Sequence, residues 1–105
     1  MTRSKIVGVI FSRADLERAL RMRRPPDFFE LRLDGLLGGP IEKLPAPLII
    51  TARDPREGGA NNLSVPRRRA LLLKFLPRAK YVDVELRSAR ALQSVLRSAS
   101  DHKIA

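Results

Sequence analysis

Phe28-Phe29-Glu30-Leu31-Arg32-Leu33-Asp34 is the stretch that decides the fold. It alternates with a period of two, Phe29, Leu31 and Leu33 on one face and Glu30, Arg32 and Asp34 on the other, which predicts a β-strand. Tyr81-Val82-Asp83-Val84-Glu85-Leu86 repeats the pattern, again with acids on alternate residues. Two further runs read as strands. Lys5-Ile6-Val7-Gly8-Val9-Ile10-Phe11 is nearly continuous and apolar, as expected of a strand buried on both faces. Leu48-Ile49-Ile50-Thr51-Ala52-Arg53 leads into a polar loop, residues 54–62.

Helical patterns separate these strands. Ser12 with Asp15 three residues on forms a near capping box, opening a helix with Leu16, Ala19 and Leu20 on one stripe, and Pro25-Pro26 bars its continuation. Gly35 and Gly38-Gly39-Pro40 predict a loop, with one helical turn near Ile41–Leu44. Ser64 caps a helix that has Pro66 in its first turn and runs to about Phe75 or Leu76, before Pro77. Ser88 is expected to cap a last helix with the stripe Leu92, Val95, Leu96 and Ala99. Asp101-His102-Lys103-Ile104-Ala105 reads as the opening of a fifth strand. Alternating strands and helices with short connections predict βα units on a parallel sheet, an α/β architecture in one domain over residues 1–105.

Strands of such a sheet are ordinarily apolar on both faces. Here Glu30, Arg32 and Asp34, then Thr51 and Arg53, then Asp83 and Glu85 put polar groups on one. A strand whose polar side simply meets water explains any one of them. Three within a βα repeat point instead to a site, because the charges gather at the C-terminal strand ends, where barrel enzymes place their chemistry. Carboxylates accept and guanidinium groups donate, a combination suited to a polyhydroxylated anion.

Composition bounds the alternatives. Hydrophobic residues make up 44% of the chain and charged ones 30%, a globular balance. There are no cysteines and a single histidine, His102, so neither a disulfide framework nor an imidazole cluster is available. No apolar run approaches the roughly 18 residues that span a bilayer, and the start at Met1 lacks a secretory pattern; the expected location is cytoplasmic. The net charge of +10 raises nucleic acid as a partner. Its arginines are spread along the whole chain and aromatics are scarce, so little stands ready to stack on bases, and this partner is discounted.

Four blocks in order resemble the type I 3-dehydroquinate dehydratases: Lys5-Ile6-Val7-Gly8-Val9; Phe29-Glu30-Leu31-Arg32-Leu33-Asp34; Thr51-Ala52-Arg53 with Glu57-Gly58-Gly59; and Tyr81-Val82-Asp83-Val84-Glu85-Leu86. The second and third blocks are the specific ones. The resemblance implies a (β/α)8 barrel of the TIM type, of which this chain is the N-terminal half, about four βα units with parallel strands. It implies the dehydration of 3-dehydroquinate to 3-dehydroshikimate in the shikimate pathway, with no metal or cofactor. In that chemistry a lysine forms an imine with the substrate ketone, and a histidine takes the acidified proton and helps the hydroxyl leave. By resemblance Glu30 and Arg32 hold substrate hydroxyls, Arg53 binds the substrate beside them, and Glu57 orients the histidine. Asp34, Asp83 and Glu85 support them inside the barrel. Val9 stands where many members carry a serine.

The family's histidine ends strand five and its lysine lies on strand six. The resemblance therefore implies a chain without either, inactive alone, with His102 on the wrong end of its strand. Lys5, Lys80 and Lys103 precede strands, Lys43 is in a loop and Lys74 on a helix, so none is placed to form the imine. The partners expected are the substrate and either a second copy or a complementary half barrel. The competing reading is a non-catalytic half barrel that binds or docks.

Overall fold

The computed structural model describes residues 4–101. Four strands, β1 (Val7–Ile10), β2 (Phe28–Arg32), β3 (Leu48–Thr51) and β4 (Tyr81–Asp83), form one parallel sheet in the order β1-β2-β3-β4. Parallel neighbours require crossovers. These run through α1 (Arg13–Leu20), the short α2 (Leu33–Leu36) with the segment 37–47, and α3 (Val65–Phe75); α4 (Gln93–Asp101) follows β4.

The register pairs Val9 with Glu30, Glu30 with Ile49 and Ile49 with Tyr81; one step along, Arg32 pairs with Thr51 and Thr51 with Asp83. The face formed by Ile10, Phe29, Leu31, Leu48 and Ile50 is buried under the helices, in one core with Leu16, Ala19, Leu71, Leu72, Phe75, Leu92 and Val95. Val7, Val9, Phe28, Glu30, Arg32, Ile49, Thr51, Tyr81 and Asp83 share the opposite face.

The capping box is formed: Ser12 Oγ accepts from Asp15 N–H, and the Asp15 carboxylate accepts from Ser12 and Phe11 N–H. Ser64 caps α3, with Pro66 in its first turn. Several expectations are corrected. First, β1 is not buried on both faces; Val7 and Val9 are 44% and 55% exposed, because no described element covers that side of this edge strand. Second, β2 ends at Arg32 and Leu33-Asp34 begin α2, since the Asp34 carboxylate is held by backbone N–H groups of the loop after β3. Third, Ile41–Leu44 forms no helix. The Arg78 guanidinium takes the Ile41 and Glu42 carbonyls at 2.6 and 3.0 Å, and Ile41 and Leu44 are buried in the core.

Fourth, β4 stops at Asp83, because Glu85 turns inward to buried partners. Fifth, Ser88 caps nothing: α4 begins at Gln93, and the Ser88 hydroxyl is bound to Arg68 and Asp54. Asp101 belongs to α4, not to a fifth strand, and residues 102–105 of that expected strand lie outside the described residues.

Candidate functional site

The C-terminal strand ends bring together the residues singled out by alternation. Thr51 Oγ1 donates to Glu30 at 3.0 Å across the β2–β3 pair. Arg32 donates from Nε and Nη2 to the two oxygens of Asp34, at 3.0 and 2.8 Å, and its guanidinium lies 5.3 Å from the centre of the Phe11 ring. This fork on a carboxylate fixes the plane of the guanidinium. Asp34 is fully buried. Burial pushes its pKa up, but the Arg32 fork and the Ala60 and Arg53 N–H donors outweigh that and hold it below the usual carboxylate value. The same pairing raises the pKa of Arg32. Asp34 thus supports the site from α2 beneath Arg32, not from the strand face.

Arg53 follows β3. Its N–H donates to Asp34, Nη2 reaches Asp83 at 2.9 Å, and Nη1 lies 3.9 Å from Glu85. The side chains of Arg32 and Arg53 are 19% and 22% exposed, so both present an accessible edge. Asp83 is half exposed, whereas Glu85 is buried.

Behind this layer is a buried cluster that sequence reading missed. Arg68, 2% exposed on α3, donates from Nε to the Ala52 carbonyl at 2.9 Å and from Nη2 to Ser88 at 3.0 Å and Glu85 at 3.3 Å. Its Nη1 lies 3.6 Å from Asp54. Asp54 also accepts from Arg56, through both backbone and guanidinium, and from the Ser88 hydroxyl. The Arg56 side-chain hydrogen bonds are the main cause holding the Asp54 carboxyl well below its ordinary pKa. No buried side-chain polar atom among the described residues lacks a partner. A signal for Arg68 was present: it sits with Leu71, Leu72 and Phe75 at helical i, i+3, i+4, i+7 spacing, on the stripe that faces the core.

The Glu57-Gly58-Gly59 loop is fixed rather than slack. Asp54 O accepts from Glu57 and Gly59 N–H, at 2.8 and 3.0 Å. Gly58 adopts φ +87°, and a Cβ on Gly59 would overlap the Arg53 carbonyl. Glu57 stands on the rim, 39% exposed, 3.5 Å from Arg87. Asn61 donates to the Asp34 backbone carbonyl at 2.8 Å.

The cations at the other end stand apart from this site. Lys5, Arg21, Arg23, Arg24, Lys43 and Lys80, all exposed, precede the strands. Lys74 lies over Phe75 on α3. His102 and Lys103 fall outside the described residues. Among the described residues no group of three His, Cys, Asp or Glu could hold a metal ion, and no helix is long and apolar enough to cross a membrane.

A family model described as type I 3-dehydroquinase matches residues 9–105. No curated protein matches significantly. Among solved structures, the chain is similar to the 3-dehydroquinate dehydratase from Aquifex aeolicus VF5, with a TM-score of 0.72 at 22% identity. The match covers 94% of this chain and 49% of that one, so the chain spans about half the length of that enzyme. At this identity the likeness is one of fold.

Proposed function

Because the chain belongs to the type I 3-dehydroquinase family, we propose that its strand ends form the substrate-holding wall of a 3-dehydroquinate dehydratase site. One observation carries the reading: two guanidinium groups, Arg32 and Arg53, are each anchored by a carboxylate and each keep an accessible edge beside Glu30. In this reading Glu30 accepts hydrogen bonds from substrate hydroxyls and Arg32 donates to them. Arg53 binds the substrate nearby, with the half-exposed Asp83 as the contact it gives up. Asp34 fixes Arg32, Glu85 lies as a supporting carboxylate 3.9 Å behind Arg53, and Glu57 on the rim orients the general-base histidine.

The imine lysine and that histidine are supplied by later strands of the barrel. The four described lysines lie at the opposite end or on a helix exterior, so this segment contributes binding and orientation, not the covalent step. The exposed apolar side chains Val7, Val9 and Tyr81 on the inner face are covered by those strands or by a second copy of the chain. The resulting enzyme is a cytoplasmic carbon–oxygen lyase of the shikimate pathway. A second reading, a non-catalytic half barrel that binds the same ligand, is favoured by the placement of the lysines.

Titration of the isotope-labelled chain with quinate, a stable polyol carboxylate, tests the wall. Shifts should concentrate at Glu30, Arg32, Thr51 and Arg53 and vanish in Arg53→Ala. Shifts confined to the opposite end of the sheet would overturn the assignment.

A further inference from the structure

We propose that Arg68 is a positioning residue for Arg53: by holding and neutralising Glu85 from behind, it leaves the Arg53 guanidinium free to meet an anionic ligand. The proposal rests on the reading of the strand ends as a site for a carboxylate-bearing polyol.

Glu85 stands between two guanidinium groups. On its buried side Oε1 accepts from Arg68 Nη2 at 3.3 Å. Its other oxygen accepts from Asp54 N–H and lies 3.9 Å from Arg53 Nη1, beyond hydrogen-bond reach. Arg53 instead reaches Asp83, 47% exposed, a screened contact that a ligand can displace. The division of labour follows from burial. Glu85 is 4% exposed and needs a cation, and Arg68 supplies one without drawing on the front of the site.

Arg68 acts on the backbone as well. Its Nε holds the carbonyl of Ala52, which belongs to the peptide leading into Arg53. Its second branch ties Ser88, and through the Ser88 hydroxyl Asp54, whose N–H completes Glu85. Without Arg68 the nearest cation able to satisfy Glu85 is Arg53. Swinging about 1 Å inward, it would bury the donors that now face the site.

The test is a mutant cycle on the full chain with Arg68→Met, E85Q and the double variant, reading quinate affinity and hydrogen exchange of the Arg53 Nε–H. Arg68→Met should weaken quinate binding about tenfold, the scale of a 1 Å approach between unit charges at the effective dielectric of a partly exposed site. It should also slow Arg53 Nε–H exchange. In an E85Q background the same substitution should change affinity by less than about twofold, because no carboxylate remains to capture Arg53. A purely structural role would show equal losses in both backgrounds, and that result overturns the proposal.

Should Arg68→Met fail to fold, Arg68→Lys decides. Binding within about threefold of the parent supports neutralisation, and a loss of about tenfold or more refutes it. If the parent chain binds no quinate, the substrate reading fails; exchange at Arg53 then decides the role of Arg68 alone, and an unchanged rate overturns it.

Discussion

Replacing Asp34 by asparagine should destabilise the chain by about 3 kcal/mol, and the reason lies in how its two oxygens are shared. Oδ1 accepts from Arg32 Nε and Arg53 N–H, while Oδ2 accepts from Arg32 Nη2 and Ala60 N–H. Each oxygen therefore meets one guanidinium donor and one backbone donor. Whichever way an asparagine amide turns, its NH2 faces two donors, and two hydrogen bonds to a charged acceptor are lost. Each is worth about 1.5–3 kcal/mol, and the lower end applies because Arg32 retains some access to water. Urea unfolding followed by circular dichroism, at one fixed protein concentration, should show a midpoint lowered by about 1–3 M. The sign of the pH dependence follows from the lowered pKa. The stabilisation from Asp34, with that from Asp15 and Asp54, is full above the unfolded carboxyl value of about 4 and is lost as pH falls through the folded values. Asp34→Asn should flatten that acid limb. A midpoint shift no larger than that of the exposed control Glu17→Gln would refute the reasoning.

The chain should form no borohydride-trappable imine with 3-dehydroquinate, since Lys5, Lys43 and Lys80 lie at the far end of the sheet and Lys74 on α3; mass spectrometry showing a stable adduct on any of the five lysines, Lys103 included, would contradict this. Binding to duplex DNA should be weak and blind to sequence, disappearing by roughly 200 mM salt in fluorescence anisotropy. Sub-micromolar, sequence-selective binding at that salt would reverse the discount on nucleic acid. Sedimentation at micromolar concentration should show a dimer or soluble aggregate, because among the described residues no strand pairs with the outer edge of β1 or β4, and Val7, Val9 and Tyr81 are exposed on the inner face. A sharp monomer with cooperative unfolding would mean that this unit closes its own core.

The strand centres, the Ser12 and Ser64 caps and the shared face of Glu30, Arg32, Thr51 and Asp83 were legible because each is written in a local period or a local cap. Element ends were not, because distant groups set them. Asp34 leaves its strand for N–H donors of Arg53 and Ala60, and residues 41–44 stay unwound because Arg78 occupies the carbonyls of Ile41 and Glu42. The apolar run of β1 said that its residues suit a sheet but not whether both sides would be covered. Arg68 was passed over because a charged helix residue is usually read as solvated, although its place on the apolar stripe contradicted that reading.

The strand order β1-β2-β3-β4 has a consequence for how the chain can be made. Two of its units leave behind a charged group whose set of partners the next unit completes. Asp34, after β2, awaits N–H donors that follow β3, and Arg68, on α3, awaits Glu85 and Ser88 beyond β4. A chain emerging from the ribosome therefore completes its electrostatics in the order in which it is synthesised. Withholding the third unit leaves Asp34 with Arg32 alone, and withholding the fourth leaves Arg68 with Ala52 and Asp54 but without Glu85 and Ser88.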